Sequence, residues 1–122
     1  MTQETNQSVK LIASLIHGHR IDLSSEKRVQ EAIEGILTTA GIVFEREKKL
    51  SVTDIPDFVV ENIVIECKVR GARKMDVYRQ LCRYAEHDSV HVLMLVSNIS
   101  MGMPPEINGK PVYCVSLSRG WM

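Results

Sequence analysis

Three residues near the middle of this chain have types and spacing that could do chemistry together: Asp57, Glu66 and Lys68. Asp57 opens the apolar run 58–60, Glu66 and Lys68 close the apolar run 63–65, and Glu61-Asn62 stands between the runs as a turn. Side chains alternate along a strand, so Glu66 and Lys68 share a face. A hairpin folded at Glu61-Asn62 brings Asp57 beside them. Two carboxylates and an ammonium then converge at one end of a sheet. Val64, Ile65, Cys67 and Val69 are apolar, as expected of a central strand, where unpaired charge is costly. A divalent cation would offset the carboxylates, and Mg²⁺ accepts one or two of them together with waters and phosphate oxygens. Lys68 would position or deprotonate an attacking water. The competing reading of the same residues is a buried ion-pair network.

The elements that must position these groups follow from periodicity. Residues 9–16 carry apolar side chains at Val9, Leu11, Ile12, Leu15 and Ile16, a short amphipathic helix preceded by a polar, frayed start. His17 and His19 follow; two histidines at this spacing could bind a metal, but with Gly18 they also read as a helix end. Ser24 or Ser25 caps a second helix, whose apolar stripe is Val29, Ala32, Ile33, Ile36, Leu37 and Ala40 and whose stop is Gly41. At about 100° per residue, Glu26 falls roughly 50° from the centre of that stripe, Glu34 about 130° away and Glu31 nearly opposite. Only Glu26 is expected to reach the interior edge; otherwise it is a first-turn acid favoured by the helix dipole. A partly exposed strand is expected over 42–50, a helix over 72–86, a buried strand over 90–96, a loop over 97–106, a turn at Asn108-Gly109, a strand over 111–117 and a tail at Arg119, Gly120 and Trp121. On the 72–86 helix, Gln80 and Tyr84 are one turn apart and adjacent, and Arg79 and Arg83 form a basic pair on the neighbouring face. The fold class is α/β: helix, helix, three strands, helix, two strands, with a mixed sheet.

Composition sets limits. A chain of 122 residues with 44% hydrophobic and 25% charged residues is one domain of ordinary globular composition. No run approaches the roughly 18 apolar residues of a membrane helix, and Met1–Ser8 does not read as a secretory leader. Cys67, Cys82 and Cys114 are odd in number and far apart, which suits reduced cytoplasmic thiols. Net charge is zero, but Lys68, Arg70, Arg73, Lys74, Arg79 and Arg83 fall within 16 residues, with Asp76 as the one acid among them. Such a basic face suits phosphate binding.

Pro56-Asp57, eight residues, then Glu66-Cys67-Lys68 resembles the PD-(D/E)xK nuclease superfamily. The element order from Ser24 to Val96 is similar to that family's core of helix, three strands, helix and strand, here with an extra N-terminal helix and a C-terminal strand. The helix carrying Ser25-Glu26, Val29-Gln30, Ile33, Leu37 and Gly41 resembles the opening helix of the VRR-NUC branch and of small Holliday-junction resolvases. Gln80-Leu81-Cys82-Arg83-Tyr84 resembles the QxxxY motif of recombinational helicase–nucleases. The chain lacks the long basic stretches of many resolvases and the metal-cluster cysteines of those helicase–nucleases.

The resemblance implies a restriction-endonuclease-like domain over 21–122 with an N-terminal segment over 1–20. It implies Mg²⁺- or Mn²⁺-dependent hydrolysis of phosphodiester bonds in DNA, selective for branched, junction or flap structures, with no organic cofactor. Asp57, Glu66 and the Cys67 backbone carbonyl would hold the cation. Glu26 would hold a second one or a bound water, and Lys68 would orient the nucleophile. Gln80 would contact the backbone or the nucleophile, and Tyr84 would buttress it or face the DNA; Tyr84 also reads as a core residue and Gln80 as a surface one. Arg70, Arg73, Lys74, Arg79 and Arg83 would meet the nucleic acid. Two-strand cleavage by so small a domain would need a homodimer, through residues 9–16. The alternatives are a non-catalytic DNA-binding module of the same fold and a ribonuclease.

Overall fold

The first helix is longer than its apolar stripe. The computed structural model describes residues 2–117, and within them α1 spans Gln3–His17. The start expected to fray is helical because the Thr2 side chain accepts a hydrogen bond from the Thr5 amide at 3.1 Å, an N-cap. Val9, Ile12 and Ile16 are buried in the chain's own core against Val29, Ile33 and Leu37. Those three side chains of the stretch expected to form a dimer contact are thus covered by the chain's own domain, while Leu11 is its exposed large apolar side chain.

α2 spans Glu26–Thr39. Ser25 caps it, its Oγ accepting from the Arg28 amide at 3.1 Å. At the other end Gly41 takes a positive φ of 74°. The Gly41 amide donates to Thr38 and the Ile42 amide to Leu37, which closes the helix in a Schellman turn.

The strand expected over 42–50 shrinks to β1, Glu45–Arg46. Its partner β2, Phe58–Val60, is three residues long, and Glu47 turns away at φ 50°. An edge strand cannot pair beyond what its neighbour offers. β2 and β3 (Ile63–Lys68) form the expected antiparallel hairpin, with Val60 opposite Ile63 and Phe58 opposite Ile65. α3 (Lys74–Ala85) then crosses over to β4 (Val92–Ser97), which runs parallel to β3. Glu106, expected to end a loop, instead starts β5 (Glu106–Ile107), a short strand paired across Asn108-Gly109 with β6 (Lys110–Ser116). Arg119, Gly120 and Trp121 lie outside the described residues.

The described residues form a mixed α/β fold, a six-stranded sheet in the order β1-β2-β3-β4-β6-β5 with three helices. α1 and α2 cover one face, packing on Phe58, Ile63, Ile65, Val92 and Met94. α3 covers the other, where Val77, Leu81 and Tyr84 meet Val59, Val64, Leu93 and Leu95. The central strands are therefore buried on both faces and read as unbroken apolar runs. Lys110 Nζ donates to the Ala85 and His87 carbonyls at 2.8 and 2.7 Å, which pins the C-terminal end of α3.

Candidate metal centre and basic cleft

One helix and two adjacent stretches of the sheet contribute to one cluster. Glu26 comes from the first turn of α2, Asp57 from the residue before β2, and Glu66 from β3; one carboxylate oxygen of each lies within 4.8 Å of the others. The hairpin register explains the pairing of the last two. Phe58 lies opposite Ile65, so Asp57 falls beside Glu66, and the Asp57 amide donates to Glu66 Oε1 at 3.2 Å. Lys68, two residues on and on the same face, puts Nζ 3.3 Å from Glu66 Oε2.

Two of the three carboxylates, Asp57 and Glu66, are fixed by donors. Asp57 Oδ2 accepts from the Cys67 amide at 2.8 Å and Oδ1 from Gln30 Nε2 at 3.0 Å. Glu66 Oε1 also accepts from the Tyr84 hydroxyl at 3.2 Å, and Gln80 Nε2 donates to that hydroxyl at 2.9 Å. Gln80 and Tyr84 are adjacent as their spacing requires, but Tyr84 is 1% exposed. This corrects its expected place on the DNA surface: it faces Glu66 from the core and buttresses the cluster.

The electrostatics are those of excess negative charge. Glu66 is 3% exposed, and burial, then the neighbouring Asp57 charge, push its pKa up to about 7 against the pull of Lys68. Asp57 is raised by burial, opposed by the Cys67 amide and Lys68. Glu26 is raised by burial and by Asp57, opposed by Lys68. Burial drives the Cys67 thiol well above its ordinary range, so this residue meets the cluster through its backbone.

An open cleft of about 680 Å³ adjoins the cluster. Glu26 and Lys68 line it, followed by Arg70, Arg73, Asp76, Arg79, Gln80 and Arg83. Lys74 is exposed but does not line it. Arg79 is paired with Asp76 at 3.2 Å, both well exposed, and Arg83 with Asp54 at 3.2 Å. Arg73 is the N-cap residue of α3 and gives no side-chain cap, and it lines the cleft together with Arg70.

Two groups of residues were not read from the sequence. Gln30 holds Asp57, and Arg46, stacked 4.7 Å over the Phe58 ring, approaches Gln30 Oε1 at 3.5 Å. Gln30 is one turn beyond Glu26 on the same helix face, and that spacing could have revealed it. Asp54 and His87 are 33 positions apart and carry no local signal. His17 and His19 join no metal-ligand cluster among the described residues; His19 Nδ1 lies 2.6 Å from the Leu15 carbonyl oxygen, at the helix end.

The donor set suits a divalent cation. All three acids ionised against the one ammonium of Lys68 leave two negative charges, in a site that raises its own carboxylate pKa values. Hard carboxylate oxygens favour Mg²⁺ or Mn²⁺ over soft metals. No protein-family model matches the chain, and neither a curated protein nor a solved structure does. Among the described residues no helix is long and apolar enough to cross a membrane.

Proposed function

We propose that this chain is a Mg²⁺- or Mn²⁺-dependent nuclease that hydrolyses phosphodiester bonds in DNA, with a PD-(D/E)xK-type site on a restriction-endonuclease-like core. One observation carries this: three carboxylates, from α2, from the residue before β2 and from β3, converge with the β3 lysine at the mouth of a basic cleft. Glu26, Asp57 and Glu66 would hold the cation, with the Cys67 carbonyl as a further ligand. The cation, when bound, supplies Lewis acidity toward a phosphate oxygen and toward water.

The chain's own groups do the rest. Gln30 and the Cys67 amide hold both oxygens of Asp57, and Tyr84 and the Asp57 amide hold Glu66, so the ligands are oriented before anything binds. Lys68 lines the cleft beside Glu66 and is placed to orient the attacking water or to stabilise charge growing on the phosphate. Gln80 lines the same cleft while tied to Tyr84, which links substrate contact to the position of Glu66. Arg70, Arg73, Arg79 and Arg83 receive the strand's phosphates, aided by the uncapped amides at the start of α3.

The test is cleavage of junction, flap and linear DNA, with an RNA control, in Mg²⁺ and in EDTA. Cleavage only with the metal, lost in Glu66→Ala and in Lys68→Ala, is expected. Turnover retained in EDTA or in Glu66→Ala contradicts the proposal, binding without turnover on any substrate favours a non-catalytic module, and preference for RNA moves the substrate class.

A further inference from the structure

Two arginines one turn apart on α3 are held very differently. Among the described residues Arg79 pairs with Asp76, in an exposed i,i+3 pair of a kind worth little. Arg83 donates its Nε to Asp54 Oδ1 at 3.2 Å, and Asp54 is buried. Asp54 is held in its loop by its backbone. Its amide donates to Ser51 Oγ at 3.1 Å and its carbonyl accepts from the Leu50 amide at 2.9 Å. Its second carboxylate oxygen lies 2.9 Å from His87 Nε2. A hydrogen bond to His87, then, against burial, the Arg83 bond, keep the Asp54 carboxyl below its ordinary range.

We propose that Asp54 is a positioning residue that presets Arg83 as a clamp for a phosphodiester of a nucleic-acid strand lying in the cleft. Fixing Nε sets the plane of the guanidinium. The side chain stays 51% exposed, lines the cleft, and its Nη groups have no other partner among the described residues. A fork of free N–H donors held in one plane matches two oxygens of a phosphate, and a guanidinium already held loses less freedom on binding. Arg70 and Arg73 line the same wall, more cations than one small anion needs, which favours a chain of phosphates. The clamp rests on the proposed function for its ligand; its geometry does not.

Binding of a labelled DNA duplex in EDTA, across a range of salt, tests it. Arg83→Lys keeps the charge but loses the fork, and its ammonium would settle on Asp54. Arg83→Lys and Arg83→Gln are both expected to weaken binding by roughly tenfold at fixed salt. Asp54→Ala is expected to weaken it too, although the cleft becomes more positive. Parent-like binding by Arg83→Lys, or tighter binding by a folded Asp54→Ala, overturns the clamp. If Asp54→Ala does not fold by circular dichroism, the two Arg83 variants decide alone. Parallel cleavage by the parent in Mg²⁺ separates the two proposals. A parent that cuts while Arg83→Lys binds normally overturns the clamp only. A parent that does not cut but shows the Arg83 pattern overturns hydrolysis only.

Discussion

Glu66 shares a layer with Val64, Leu81 and Leu93 and has Asp57 for its nearest acid. A buried carboxylate raised to about 7 binds a proton in the folded chain that the unfolded chain, near 4.5, has released. Its contribution therefore favours folding below about pH 4.5, declines as pH rises toward 7, and is flat above. The decline is about 3 kcal/mol from 1.36 kcal/mol per pKa unit. Asp57 and Glu26 are shifted in the same direction and add to it. A cation binding the ionised set reverses the loss. In EDTA the urea midpoint is expected to fall between pH 5 and 7.5; Mg²⁺ should restore it at pH 7.5 and leave it unchanged at pH 5. A midpoint that rises over that range, or ignores Mg²⁺ at both pH values, contradicts this charge balance. At this scale the sequence was informative where neighbours lie on one strand or hairpin: Asp57, Glu66 and Lys68 follow from period two and a turn. Gln30 was signalled only by its position one turn beyond Glu26; Arg46, Asp54 and His87 were not legible because their partners come from other elements, whose docking no local period encodes.

Among the elements, α3 shows a conflict between stability and the proposed function. Its N-terminal end carries Arg73 and Lys74 beside the first-turn acid Asp76, where the helix dipole favours anions, and Arg73 leaves the cap position without a side-chain bond. Arg73 has extended backbone angles, φ −90° and ψ 129°, which an aspartate cap adopts readily. Arg73→Asp is expected to stabilise the fold by about 1 kcal/mol while weakening DNA binding and slowing cleavage. A variant both more stable and as active as the parent would remove Arg73 from the phosphate path. The helices themselves were legible in outline, since α2 has its serine cap, apolar stripe and glycine stop in order. Their ends and the short strands were less so. Thr2 extends α1 through a capping bond; β1 is cut short by the length of β2, and β5 exists only because Asn108-Gly109 folds it onto β6.

Across the whole molecule, the cluster forms where both helical layers reach the same end of the sheet: Glu26 arrives from α2 on one face and Tyr84 from α3 on the other. Topology brings together acids separated by up to 40 positions of sequence, which is why the fold order could suggest the site but not its supporting bonds. The surface was the least legible, because an apolar stripe such as Val9, Ile12 and Ile16 reads the same whether it meets its own sheet or a partner. The most direct test of the cation site is a crystal soaked in Mn²⁺ at pH 7.5. Anomalous density touching the carboxylates of Asp57 and Glu66, and absent in Asp57→Asn, is expected. Density elsewhere, or none at saturating Mn²⁺, would contradict a metal-dependent site and leave these residues as a buried ion-pair network.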